Sequence, residues 1–150
     1  MRLTRESCHV LALLLVACAS APAERADAGF YVFDAEASAA AMVARRPEAD
    51  RDDVALQPAR ALAHRVRQGF VELLADGSFL SHLTVVDTPV IAARGTWRRE
   101  DDVLRLVAVA PGQPDVVSDF RSVDDALALQ RHLLGNDVVL VYRRTPAAPR

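Results

Sequence analysis

Residues 90–98 read VIAARGTWR, and the alternation within this stretch decides the predicted fold. Successive side chains of an extended strand point to opposite sides, so residues two apart share one face. One set here is apolar or small and the other is mostly polar, which indicates a β-strand with one face on a core. The set expected to face inward is Ile91, Ala93, Gly95 and Trp97.

The same two-residue period extends to both sides of this strand, from Gln68 to Arg144. Tight turns such as Ala75-Asp76-Gly77 interrupt it at intervals of roughly ten residues. Regularly spaced short strands are typical of an antiparallel meander that closes or nearly closes into a barrel, here of about eight strands. The other residues expected to face inward are Val71, Leu73, Phe79, Leu83, Val85, Leu104 and Leu106. The predicted strands cover residues 29–33, 70–74, 78–86, 90–98, 103–110, 116–121, 126–131 and 138–144.

A helical insertion is predicted after the first strand, so the fold class is mainly β with helix. Asp34 is a good N-cap for the alanine-rich residues 35–46, and Pro47 ends that helix. A second helix is predicted over residues 54–67, with Pro58 either opening it at its first turn or kinking it. Its expected apolar stripe is Ala55, Ala59, Leu62 and Val66.

The N-terminus has the pattern of a secretory signal. Arg2 and Arg5 precede an unbroken apolar run from Val10 to Ala17. That run is far shorter than the roughly 20 residues that a membrane-spanning helix needs. We therefore expect residues 1–17 to be a signal peptide and the protein to be exported.

The end of the apolar run carries a more specific pattern. Leu15-Val16-Ala17-Cys18 resembles the lipobox of bacterial lipoproteins, in which cleavage precedes the cysteine and its sulfur is acylated. The resemblance implies lipidation at Cys18 and, with Ala19 rather than aspartate next, an anchor in the outer membrane facing the periplasm. Residues 18–28 would then be a tether and residues 29–146 one domain. The alternative is ordinary cleavage near Ala21-Pro22-Ala23, which would release a soluble periplasmic protein.

Composition narrows the possible partners. The 150 residues suit one domain, and 51% of them are hydrophobic, which favours a packed core. The 18 basic and 20 acidic residues are interleaved, so no nucleic-acid partner is expected. The two cysteines are Cys8 and Cys18. Because Cys8 lies in the predicted signal peptide, which is removed, no disulfide is expected inside the domain.

The strand and helix order is similar to that of small bacterial lipocalin-like envelope proteins. The residues that match are Gly29-Phe30-Tyr31-Val32-Phe33-Asp34, Ala75-Asp76-Gly77-Ser78-Phe79, Gly95-Thr96-Trp97 and Asp102-Val103-Leu104-Arg105-Leu106. The resemblance covers nearly all of residues 29–146. It implies the fold more than a function, because one fold hosts many activities.

Residues that would carry catalysis are not evident in the sequence. It contains no nucleophile elbow, zinc-protease motif, phosphate loop or Cys-x-x-Cys. His64, His82 and His132 follow no metal-ligand spacing, and the three Asp-Asp pairs lie at the ends of predicted elements. We therefore expect a protein that is not an enzyme and needs no cofactor or metal.

The predicted barrel interior raises the question of a ligand. Large inward residues are interspersed with small ones such as Ala93, Gly95, Ala108 and Ser118. An eight-stranded barrel is either filled by its own side chains or holds one small ligand. An apolar small molecule would contact Phe79, Ala93, Gly95, Trp97, Leu104 and Phe120.

The second hypothesis is a protein-interaction or inhibitor module of the cell envelope. It rests on valines expected on the outside of the barrel, where they would contact an envelope protein. They are Val103, Val107, Val109, Val139 and Val141.

Overall fold

A computed structural model of the chain describes residues 26–146, apart from the side chain of Asp53. The predicted signal peptide, Cys18 and most of the predicted tether lie outside the described residues. Eight antiparallel strands form a closed barrel in chain order, as the sequence predicted. They are β1 (Gly29–Phe33), β2 (Val66–Leu73), β3 (Ser78–Val85), β4 (Ile91–Glu100), β5 (Val103–Ala108), β6 (Val116–Val123), β7 (Ala126–Leu133) and β8 (Asn136–Thr145).

Two helices lie between β1 and β2, as expected for the insertion. They are α1 (Ala35–Ala44) and α2 (Asp53–Ala63), joined through a short 3-10 turn at Glu48–Asp50. Asp34 caps α1, since its carboxylate accepts a hydrogen bond from the amide of Ala37 at 2.8 Å. This amide bond, with a further contribution from Arg143, holds the pKa of Asp34 below its usual value. Neither helix is long and apolar enough to cross a membrane.

The second helix ends earlier than predicted. It stops at Ala63, and Val66, expected on its apolar stripe, is instead the first residue of β2 and pairs with Val85. A register irregularity between Val66 and Gln68 leaves Arg67 and Gln68 exposed in succession, which interrupts the two-residue period. The extra residue interrupts the alternation at the start of the strand, and the spacing of Val66 from Leu62 matches that of a helix. The sequence therefore predicted helix where the strand begins.

The inner faces of β2 to β5 agree with the sequence prediction. All seven residues that were expected inward on β2, β3 and β5 are buried. On β4, Trp97 is buried and Ile91, Ala93 and Gly95 are half-buried, whereas Ala92, Arg94, Thr96 and Arg98 are exposed. These strands therefore bury one face only, which is why their alternation is clear.

Helix α1 covers part of the outer wall. Val139 and Val141, expected on an exposed outer surface, are only 9% and 8% exposed, so that expectation was wrong for these two valines. The hydroxyl of Ser38 on α1 accepts a hydrogen bond from the Val141 amide at 2.9 Å. It donates to the carbonyl oxygen of Asp34 at 2.6 Å. The middle of β8, residues 138–142, is thus buried on both faces.

The barrel has two different ends. The lower end carries the β2–β3, β4–β5 and β6–β7 turns, together with residues 26–28. The upper end carries both helices and the β3–β4, β5–β6 and β7–β8 turns. A second apolar cluster holds the helices together and consists of Ala39, Val43, Ala55, Ala59 and Ala63.

Candidate functional site

The lower half of the interior is filled by large side chains. Four of the six residues that were expected to contact a ligand are at most 4% exposed: Phe79, Trp97, Leu104 and Phe120. The indole N–H of Trp97 donates to the carbonyl oxygen of Leu74 at 2.9 Å, so the ring is fixed against the β2–β3 turn. Ala93 and Gly95, the other two, are half-buried nearer the upper end. Contact of these six residues with a ligand stays a prediction.

The lower end is closed by residues just before β1. Asp27 accepts two hydrogen bonds from Arg99, at 2.5 and 2.6 Å, and both side chains are largely shielded from solvent. The hydroxyl of Tyr31 donates to the Asp27 carbonyl oxygen at 2.8 Å. Arg144 lies 5.9 Å above the Tyr31 ring and donates to the Ala28 carbonyl oxygen. Residues 26–28, predicted as the end of a tether, therefore pack onto the barrel.

The barrel wall opens between β6 and β7. These eight-residue strands pair only through residues 120–123 and 126–129. By contrast, β7 and β8 pair along the whole of β7. Within the described chain, no ladder pairs residues 116–119 with residues 130–133, so the two strands separate toward the upper end. This opening is the candidate entrance to the interior.

Small and apolar side chains lie beside the opening. Ala108 and Ser118 face inward on β5 and β6 and are half-buried, as is Ala93 on β4. Exposed valines at the upper ends of β4, β5 and β6 form an apolar rim: Val90 is 56% exposed, Val109 58% and Val116 54%. Unlike Val139 and Val141, these valines are not covered by a helix. An exposed apolar surface of this kind can contact an apolar molecule that enters through the opening.

The helices close the other side of the upper end. A cavity of about 10 Å³ lies beneath them, lined by Met42, Leu62, Val85 and Val138 among others, and has room for one water. A groove of about 450 Å³ runs outside, between the helices and the β7–β8 turn, past Arg46 and Arg65. Because the helices close this side of the upper end, the gap between β6 and β7 is the candidate entrance.

Two polar groups in the barrel interior were missed in the sequence. Arg131 on β7 is half-buried, and Tyr142 on β8 is 3% exposed. Both occupy inward positions, because Leu127 and Leu129 on β7 and Leu140 on β8 have the same phase and are buried. Burial raises the pKa of the Tyr142 phenol to about 12, with the charge of Arg131 acting in the opposite direction. The phenol is therefore protonated at neutral pH and available as a donor.

A signal for Arg131 was present but was obscured. Residue 131 is in phase with Leu127, Leu129 and Leu133, but the predicted strand ended at Arg131. Tyr142 was ambiguous because residues 138–142 read VVLVY, which is apolar in both phases. Helix α1 covers the outer face of this segment, which explains why both sets of alternating positions are apolar.

The three histidines that were considered as metal ligands have separate environments. His64 lies 3.4 Å from Glu36, His132 lies 2.9 Å from Asp137, and His82 stacks on Phe70. Within residues 26–146, no group of three or more His, Cys, Asp or Glu side chains is arranged to hold a metal ion.

Comparison of this chain with protein-family models and with curated proteins gives no match.

Proposed function

We propose that this protein is a non-enzymatic envelope lipoprotein that takes an apolar small molecule into its barrel through the opening between β6 and β7. The observation that carries the proposal is the separation of these strands above Phe120 and Leu129. The half-buried Ala108 and Ser118 lie next to that separation. Apolar surface that a ligand covers leaves water, and this is the main favourable contribution to such binding.

The binding test uses a pair of adjacent positions on β6. Ser118 faces inward at the opening, whereas its neighbour Val117 faces outward and is 54% exposed. Ser118→Trp is expected to weaken binding of the neutral fluorescent probe N-phenylnaphthylamine by about tenfold or more, because the indole occupies the entrance. Val117→Trp adds a similar side chain outside the barrel and should leave the affinity unchanged.

Fluorescence titration measures the affinity of the two variants for the probe, once circular dichroism has shown that both retain the β-sheet spectrum. Ala108→Leu serves as a second obstruction, since Ala108 lies on β5 beside β6. Absence of saturable binding to the unsubstituted protein, or equal binding by the Ser118 and Val117 variants, would contradict an interior site.

The membrane anchor is a separate part of the proposal and rests on the Leu15-Val16-Ala17-Cys18 pattern. Cells that express the full chain should incorporate labelled palmitate into the protein, and Cys18→Ala should abolish the labelling. The labelled protein is expected in the outer-membrane fraction. Cys8→Ala is the matched control, because the signal peptide carries that cysteine away. Labelling that survives Cys18→Ala would refute lipidation at this residue.

A protein-interaction or inhibitor role is the second candidate. Exposed valines favour it, because Val109, Val116 and Val117 leave an apolar area uncovered at the upper end. The same two variants separate the candidates. An envelope partner that is captured by the unsubstituted protein and lost with Val117→Trp, while the probe still binds, would favour the interaction module.

A further inference from the structure

Arg131 carries its charge toward the interior of the barrel. It follows the buried Leu127 and Leu129 at two-residue spacing, and Leu133 beyond it packs against the core. Its partner across the ladder is Val138, which is 3% exposed and belongs to the same core. An arginine at this position is unusual, because a charge that leaves water is costly unless it is paired.

Another arginine at an inward position has such a partner. Arg99, at the lower end, forms the bidentate pair with Asp27. Within residues 26–146, the side chain of Arg131 forms no ion pair or hydrogen bond, and its interaction is electrostatic, with the Tyr142 phenol. The guanidinium therefore retains its full capacity to bind an anion.

Tyr142 supplies a second donor inside the barrel and interacts electrostatically with Arg131. Its ring packs edge-on against Phe33 and Phe120, with centroids 6.0 Å away in each case. Its hydroxyl makes no hydrogen bond to the described chain. No buried side-chain oxygen or nitrogen of the described residues is both sealed from solvent and unpartnered, so this hydroxyl reaches accessible space. A 3% exposed phenol with a free hydroxyl is a donor without its acceptor.

We propose that Arg131 and Tyr142 bind the carboxylate of an alkyl-chain acid, with Ser118 as a further hydroxyl donor. The alkyl chain would lie along Ala108 and the rim valines. This inference rests on the proposed function and adds the charge of the ligand to it. A carboxylate matches the planar fork of arginine and accepts from the phenol, and charge-assisted hydrogen bonds of this kind are among the strong ones. The surrounding Leu129, Phe120 and Ala108 require that the rest of the ligand be apolar.

The test compares two ligands of equal chain length, dodecanoate and dodecanol, by displacement of N-phenylnaphthylamine from the delipidated protein. Dodecanoate is expected to bind about tenfold or more tightly than dodecanol at neutral pH, because only the acid offers a charged acceptor. Arg131→Gln should remove this preference, and Tyr142→Phe should reduce it severalfold. Arg121→Gln, which removes an exposed arginine from β6, is the matched control and should preserve the preference.

Each outcome has a distinct meaning. Equal affinity for the two ligands would overturn the carboxylate site while leaving the apolar binding function intact. Failure of both ligands and of the probe to bind would overturn the proposed function as well. If Arg131→Gln does not fold, the carboxylate site is still tested by the ligand comparison on the unsubstituted protein and by Tyr142→Phe. A preference for dodecanoate that survives Tyr142→Phe undiminished, or that is lost equally with Arg121→Gln, would also count against the site.

Discussion

Gly95→Ala is expected to lower the free energy of unfolding by about 3 kcal/mol, the upper part of the range for overpacking. A Cβ at this position would overlap the carbonyl oxygen of Val107 and lie 3.0 Å from the Cα of Ala108. Both are backbone atoms of β5, the strand paired with β4, so no flexible side chain can move aside. The close approach of the two strands thus requires glycine.

Chemical denaturation followed by circular dichroism measures the effect. Ala92→Val enlarges an exposed side chain on the outer face of the same strand and is expected to change stability by about 0.5 kcal/mol at most. A Gly95→Ala protein as stable as the unsubstituted one would show that β4 and β5 can separate, contrary to the close backbone contact between them.

Trp97→Ala is expected to destabilise the domain by about 3 to 5 kcal/mol, as large-to-small changes of buried aromatic residues do. Trp97 is 4% exposed and pairs with Leu106, so its removal leaves a void in the core. It also removes the hydrogen bond from the indole to the Leu74 carbonyl oxygen. The two losses affect the same end of the barrel.

Trp97→Phe separates the two contributions. Phenylalanine retains most of the buried ring surface and lacks the N–H, so a smaller loss, including about 1 kcal/mol for the hydrogen bond, is expected. Unfolding is followed by circular dichroism because Trp97 is the sole tryptophan of the chain. A Trp97→Ala protein with unchanged stability would be incompatible with a buried indole.

Prediction from sequence succeeded where a strand buries one face and failed where it does not. On β4 the alternation of exposed and inward residues was sufficient to place Trp97 and its companions. On β8, Val139 and Val141 lie under α1 while Val138 and Leu140 lie in the barrel, so both phases are apolar. A strand of this kind has no preferred phase in sequence, because each of its faces meets an apolar layer.

The candidate site likewise contains residues that were predicted from the sequence and residues that were not. Ala93, Ala108 and Ser118 were predicted as small inward residues, and the first two lie on strands with a clear period. Arg131 and Tyr142 were not recognised, because they lie on β7 and β8, where the inner face was ambiguous. The opening between β6 and β7 was also beyond prediction, since it depends on where pairing between the two strands stops.

The sequence alone determined the order of strands and helices and the inner face of β2 to β5. Local periodicity and turn residues are sufficient for these features, since each is set by neighbours along the chain. Tertiary structure alone decided the cover of α1 over β8, the pairing of Asp27 with Arg99 and the separation of β6 from β7. The first two features join residues that are distant in sequence and that come together only when the barrel closes. The third depends on where pairing between two consecutive strands stops.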